Sequence, residues 1–195
     1  MKDLRTLSIV LISLIIFSGC AGMHYGTGVG YLKQQKYPEA IDSFNTVLEK
    51  RPEYPNAHTQ LGIAYYKTGR YEQAISELKT ARKLQDSDKR ARLFLGMAYL
   101  RHGKMGDSIN EWDSYLEMFP SDNVSEILRK SIVVLKSDEV LPGTADLMTD
   151  SIENVITQED KIRDMDYYYR VRNFGYGHRY LHHHGYYHGY YYPCD

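Results

Sequence analysis

The chain has 195 residues, of which 43% are hydrophobic and 25% charged, with a formal net charge of −1 and two cysteines. That length holds one domain with a sizeable core plus appendages. The near-zero charge gives no global attraction to nucleic acid or to an acidic membrane surface. Cys20 and Cys194 lie at opposite ends of the chain, so there is neither a disulfide framework nor a CxxC metal pair.

Residues 1–19 have the grammar of a targeting segment. Lys2 and Arg5 make a positive start, Leu7 to Phe17 is an apolar run broken only by serines, and Ser18-Gly19 offers small residues for cleavage. The run is too short to span a bilayer, which needs about 20 residues. Phe17-Ser18-Gly19-Cys20 resembles the lipobox of bacterial lipoproteins, with Phe17 where leucine is usual. The resemblance implies that Cys20 receives a diacylglyceryl group and becomes the first residue of an anchored chain. Ala21 follows it in place of aspartate. By resemblance to the sorting rule of enteric bacteria, that implies the inner leaflet of the outer membrane, facing the periplasm. The alternative is an ordinary signal peptide whose cleavage site precedes a cysteine.

Gly22 to Gly30 is expected to form the first helix of the first unit, although each interior glycine costs about 1 kcal/mol relative to alanine. Gly26, Gly28 and Gly30 do not make a phosphate-cradling loop, because no strand precedes them and no Lys-Ser or Lys-Thr follows.

From Gly28 to Pro120 the chain repeats itself at an interval of 34 residues. Gly28, Gly62 and Gly96 are each followed three residues on by a tyrosine: Tyr31, Tyr65 and Tyr99. A small residue (Ala40, Ala74, Ser108), a bulky one (Phe44, Leu78, Trp112) and a further packing position (Val47, Ala81, Tyr115) recur behind them. Pro52 and Pro120 close two of the units, and Asp86 stands where the second would have its proline. Apolar residues at three- and four-residue spacings predict two amphipathic helices per unit. Lys67-Thr68-Gly69-Arg70 and Arg101-His102-Gly103-Lys104 read as the turns between them. One helix pair cannot bury its own apolar face, so the pairs must stack.

This period and pattern resemble the tetratricopeptide (TPR) repeat. The resemblance implies an all-α solenoid of three helical hairpins over residues 20–120, with units of about 21–54, 55–88 and 89–121. It also implies a concave face, lined by the first helix of each pair, where partners bind. Carried over by register, that face holds Val29, Leu32 and Lys33, then Asn56, Thr59, Ile63, Tyr66 and Lys67, then Arg90, Leu93, Met97, Leu100 and Arg101. The expected groove has an apolar floor with a basic column made by Lys33, Lys67 and Arg101. An extended peptide or amphipathic helix with spaced apolar anchors and some acidic residues would suit it. Val29 and Ile63 stand where chaperone-binding members carry asparagine to grip a terminal carboxylate, which argues against that specialisation. Two other readings stay open: the column is a solvated row complementing the helix dipoles, or a later helix of the same chain fills the groove.

Residues 122–165 read as capping and additional helices. Asp122 to Lys136 is expected to be helical, with Ser121 or Asp122 capping its start, and to cover the last repeat. After Leu141-Pro142-Gly143, Thr144 is expected to cap a helix running to about Met165, with Met148, Ile152, Val155, Ile156 and Ile162 on one side.

Residues 166–195 hold ten tyrosines, five histidines and four glycines. With little aliphatic material, this tail is expected to be disordered. His178, His182, His183, His184 and His188 offer a loose, weak site for Zn, Ni or Cu. Cys194 would be the one free thiol of a lipidated chain and offers a dimer cross-link in an oxidising compartment. No nucleophile–base pairing, paired carboxylates or cofactor fingerprint points to an enzyme. The sequence therefore predicts a lipid-anchored scaffold that binds a protein or peptide at the bacterial envelope, in the assembly of outer-membrane, pilus or cell-wall complexes. The alternative is a periplasmic metal-handling protein that uses the histidine-rich tail.

Overall fold

The computed structural model describes residues 21–137 and 140–174, the side chains of Ala21 and 168–174 excepted. The described residues form eight helices and no strand: α1 (Ala21–Lys33), α2 (Tyr37–Lys50), α3 (Pro55–Lys67), α4 (Tyr71–Leu84), α5 (Lys89–Arg101), α6 (Met105–Met118), α7 (Ser125–Leu135) and α8 (Thr144–Phe174). Helices α1 to α6 pack as three successive antiparallel pairs, each also packed on the next. Proline opens α3 at its first position, where the missing N–H has no helical partner to lose.

Within each pair the same turn is built three times. The N–H of Lys36, Arg70 and Lys104 donates to the carbonyl of Tyr31, Tyr65 and Tyr99 at 2.9, 2.9 and 2.8 Å. This six-to-one bond closes a helix when the preceding residue is left-handed. Gly69 (φ 73°) and Gly103 (φ 79°) take that conformation in the second and third units, and Gln35 (φ 59°) takes it in the first. The turn is thus conserved in geometry where the glycine is missing from the sequence.

The small residues of the repeat set how closely the two helices of a pair approach. A Cβ built on Gly28 would lie 2.7 Å from the Phe44 ring, on Gly62 2.6 Å from Leu78, and on Gly96 2.1 Å from Nε1 of Trp112. Phe44, Leu78 and Trp112 are fully buried. Each unit therefore seats one bulky side chain of its second helix directly on the glycine of its first. The Trp112 indole N–H also donates to the Leu93 carbonyl at 3.4 Å, which leaves the ring little freedom to withdraw.

Between units the seams include polar clamps. Arg92 and Glu111 are buried, with Arg92 Nη1 donating to Glu111 Oε1 at 3.3 Å. Arg82 donates to the other Glu111 oxygen, and Arg92 also holds the carboxylate and carbonyl of Asp86. Asp86 occupies the proline place of the pattern, and its side chain completes this network. Thr59 Oγ1 donates to Asp88 Oδ2 at 2.6 Å, joining α3 to the start of α5, where Asp88 Oδ1 accepts the Ala91 N–H. On the first seam, His58 places Nδ1 2.7 Å from Glu77 Oε2 and Nε2 2.7 Å from the Pro52 carbonyl.

Helix α7 covers the third pair: Val124, Leu128, Ile132 and Leu135 are buried in one core with Trp112 and Tyr115. It starts three residues later than the sequence suggests. Asp122 accepts the Val124 N–H at 3.3 Å within the preceding turn, so its side chain orders the approach without capping the helix. Thr144 opens α8, but its hydroxyl donates to the Leu141 carbonyl at 2.7 Å, so it too is no side-chain cap. Two expectations for α8 are corrected. The helix continues past Met165 to Phe174, so residues 166–174 are helical where a disordered tail is expected from the sequence. Tyrosine, arginine and valine all tolerate a helix, and no glycine interrupts the chain before Gly175. Ile162 is 64% exposed, off the packed side, because the packed face ends near Ile156. Residues 1–20, 138–139 and 175–195 lie outside the described residues.

The glycine contacts predict opposite signs for two alanine substitutions. Gly96→Ala lowers unfolding free energy by about 2 kcal/mol or more, because an added methyl overpacks against an indole that cannot retreat. Gly30→Ala meets nothing within 4 Å and raises it by about 0.5–1 kcal/mol. Urea denaturation of the two variants measures both; equal shifts would mean that close approach does not constrain the pair.

The His58 clamp predicts a pH dependence. Both ring nitrogens face acceptors, and the hydrogen bond to Glu77 raises the imidazole pKa above its ordinary value, helped by the Pro52 carbonyl against the opposing effect of burial. A raised folded-state pKa adds stability that is fully present below the ordinary histidine range and is lost as pH rises through the folded value. Glu77→Gln therefore costs about 1 kcal/mol at pH 5.5 and much less at pH 8.5. Denaturation midpoints at the two pH values check it; a cost that does not change with pH contradicts the charged clamp.

Candidate groove on the concave face

The first helix of each pair, α1, α3 and α5, lines one face of the stack, and α8 lies against it. Helix α8 runs antiparallel along α5: Asp146 and Asp150 pair with Arg101 near the end of α5, and Asp160 pairs with Arg90 near its start. Ile152 and Ile156 of α8 are buried in one core with Ile63, Tyr66, Leu93, Phe94, Met97 and Leu100.

The basic column of the sequence is therefore met by carboxylates of the same chain. Lys33 Nζ lies 3.0 Å from Asp164 Oδ2, Lys67 pairs with Glu153, and Arg101 pairs with Asp146 and, at 3.4 Å, with Asp150. Arg90 Nη1 reaches both Asp160 oxygens, at 3.0 and 3.1 Å. The row is not simply solvated. The carboxylates that meet it fall at residues 146, 150, 153, 160 and 164, with Thr157 in the gap. These alternating steps of four and three put them on one face of a helix.

Between α8 and the first helices of the three pairs a cavity of about 1040 Å³ remains. Tyr25, Val29, Leu32, Ile63, Phe94 and Ile156 give it apolar walls, and Lys33, Asn56, Gln60, Lys67 and Arg90 line it with polar groups. This is at the upper end of the range for ligand pockets. In the core between α3 and α8 the Tyr66 side chain is buried, and its pKa is raised, first by burial and then by the charge of Glu153.

The residues expected on the groove thus separate into groups. Val29, Leu32, Lys33, Asn56, Ile63, Lys67 and Arg90 come together around the cavity. Tyr66, Leu93, Met97 and Leu100 are buried in the core that contains Ile152 and Ile156, and Arg101 is engaged by α8. Thr59 is 2% exposed and belongs to the seam between α3 and α5. Tyr25, Gln60 and Phe94 also line the cavity, unmarked by register transfer. The acidic face of α8 was visible in its spacing, but nothing in the spacing named its target.

Cys20, Cys194 and the tail histidines His178, His182, His183, His184 and His188 lie outside the described residues. Among the described residues no three His, Cys, Asp or Glu side chains are grouped to hold a metal ion, and no helix is long and apolar enough to cross a membrane.

Comparisons with known proteins agree with this geometry. A family model described as tetratricopeptide repeat matches residues 31–97. No curated protein matches the sequence significantly. Among solved structures, the first TPR domain of human RPAP3 is 25% identical with a TM-score of 0.54, over 70% of this chain and 98% of that one. The first TPR of Spaghetti (RPAP3) bound to the HSP90 peptide SRMEEVD is 25% identical with a TM-score of 0.54, over 60% of this chain and 95% of that one. The type III secretion translocator chaperone SycD of Yersinia enterocolitica shares the fold at 14% identity and a TM-score of 0.56, over 58% of this chain and 81% of that one. With three stacked helix pairs built on a 34-residue period, residues 21–118 have the tetratricopeptide-repeat fold, and residues 31–97 match that family's model.

Proposed function

We propose that this chain is a protein–protein interaction scaffold, held by a lipid on Cys20 at the bacterial envelope, whose concave groove takes a segment of a partner protein. The observation that carries the binding half is the cavity of about 1040 Å³ beside α8, with apolar walls and a basic column held by the α8 carboxylates Glu153, Asp160 and Asp164, which also line it. A groove of that size, with apolar groups and acid–base pairs interleaved, suits a polypeptide that brings apolar anchors together with carboxylates able to take the place of those of α8. The RPAP3-type repeat with peptide SRMEEVD is bound to an acidic segment of that kind. The ligand here differs in its anchor, because Val29 and Ile63 replace the asparagines of a terminal-carboxylate grip.

The envelope half rests on Phe17-Ser18-Gly19-Cys20 and on the position of the first repeat. Helix α1 begins at Ala21, so a lipid on Cys20 would set the first unit directly against the bilayer surface, in the periplasm. Several acyl chains together anchor firmly, at about 0.8 kcal/mol per buried methylene.

Two measurements test the two halves separately. Metabolic labelling with a palmitate analogue in a bacterial host is expected to label the chain and to place it in the outer-membrane fraction, with both lost in Cys20→Ser. An unlabelled, soluble wild-type chain overturns the anchor. A photoreactive residue at Gln60, which lines the cavity, is expected to crosslink one recurrent envelope protein, and Lys67→Glu is expected to reduce that product several-fold. Capture of nothing but residues of α8 overturns partner binding at this groove.

A further inference from the structure

Helix α8 carries two stripes side by side. One is acidic: Asp146, Asp150, Glu153, Asp160 and Asp164 face Arg101, Lys67, Arg90 and Lys33. The other is apolar and short: of its described side chains only Thr149, Ile152 and Ile156 are buried. We propose that α8 is a resident ligand of the concave groove, and that a partner occupies the groove by supplying an acidic amphipathic helix that repeats both stripes and displaces it. This rests on the scaffold reading and names the class of partner.

Three observations make displacement physically reasonable. First, the hold of α8 is thin over half its length. No described side chain after Ile156 is buried, and Ile162 and Met165 are 64% and 57% exposed. Second, the charge pairs at the two ends of α8 are open to water on the acidic side, while Lys67–Glu153 and Arg90–Asp160 between them are partly buried. Lys33 and Asp164 are 45% and 49% exposed, and Asp146 and Asp150 are 62% and 64% exposed. Exposed pairs contribute little each and exchange readily for equivalent ones. Third, α8 follows a turn in which Gly143 is left-handed (φ 85°) and Leu141 is 72% exposed, and its contact with α7 is confined to its first half, where Ile152 and Ile156 share the core of Leu128 and Ile132.

What α8 leaves behind selects the occupant. With it gone, Leu93, Met97 and Leu100 present an apolar strip on α5, flanked by four cations that have lost their carboxylates. A basic or neutral helix would strand those cations under an apolar surface, which is costly. An acidic amphipathic helix restores every pair. The cavity already beside Ile63 and Phe94 gives an incoming helix a foothold before α8 departs, so exchange need not pass through a fully bared floor.

The test uses the full chain and a fluorescent synthetic peptide with the sequence of residues 144–167. Anisotropy titration is expected to show weak binding to the wild-type chain, where α8 competes. Binding should be about tenfold tighter to the Asp146→Asn/Asp150→Asn/Glu153→Gln chain, whose own helix has lost three charges. A peptide of the same composition in scrambled order should bind neither, and Arg101→Glu in the triple variant should abolish the gain. Asp160→Asn/Asp164→Asn, which alters no buried side chain, is expected to give the same ranking if the triple variant does not melt cooperatively. Equal affinity for the wild-type and weakened chains overturns the proposal, and so does equal binding of the scrambled peptide. A concentration-dependent dimer that disappears in Arg101→Glu would overturn it differently, assigning the groove to α8 of a second copy. A Gln60 crosslink to a partner that is unchanged in the triple variant would sink displacement while leaving the scaffold reading intact.

Discussion

The structure depends on one steric constraint applied three times: a glycine on the first helix of a pair lies directly under a bulky side chain of the second. Gly28 with Phe44, Gly62 with Leu78 and Gly96 with Trp112 fix the distance and rotation within each hairpin. Three hairpins of like geometry, each packed on the next, stack into a solenoid whose small rotation per repeat gives a concave face. The groove is thus a consequence of where methyl groups are absent.

The seams between hairpins add specificity to that stacking. Arg92 and Glu111 are buried together, and burying such a pair is no clear source of stability compared with an apolar contact. What it supplies is register. Glu111 receives both Arg82 from the second unit and Arg92 from the third, and Arg92 in turn reaches Asp86 in the loop between them. A slip between the second and third units would break the Arg82–Glu111 and Arg92–Asp86 ties and leave Arg92 and Glu111 only each other. The departure from proline at Asp86 is therefore an exchange of a stiff turn for a charged tie.

Much of this was legible in the chain because a period of 34 residues announces its own geometry. The tetratricopeptide pattern placed Phe44, Leu78 and Trp112 in the core, and they are fully buried. Other features were hidden for identifiable reasons. Gln35 concealed the first turn, since the left-handed conformation is held there by the Lys36-to-Tyr31 bond and not by a glycine. The reach of α8 to Phe174 was masked by its composition, because a tyrosine run lacks the aliphatic periodicity that marks a packed helix. The acids of α8 and the bases of the repeats were both readable, yet a pairing across more than forty residues has no local signature. Only the fold brings Asp146 to Arg101 and Asp164 to Lys33.

That pairing changes how the groove should be understood. An open basic column would attract acidic surfaces indiscriminately, with an on-rate governed by charge and ionic strength. With α8 in place the four cations are already neutralised, so charge alone gives a newcomer no advantage. A competitor must match the spacing of the carboxylates and fill the apolar strip at the same time, because matching only one stripe leaves it weaker than the resident helix. The covalent tether adds to this, since α8 acts at the high effective concentration of an intramolecular ligand. Self-occupancy converts a sticky groove into a selective one, and it keeps Leu93, Met97 and Leu100 out of water until a suitable partner arrives. The thin contact of α8 beyond Ile156 serves the same end: a helix buried along its whole length would exclude every partner, and one held by charge alone would exclude none.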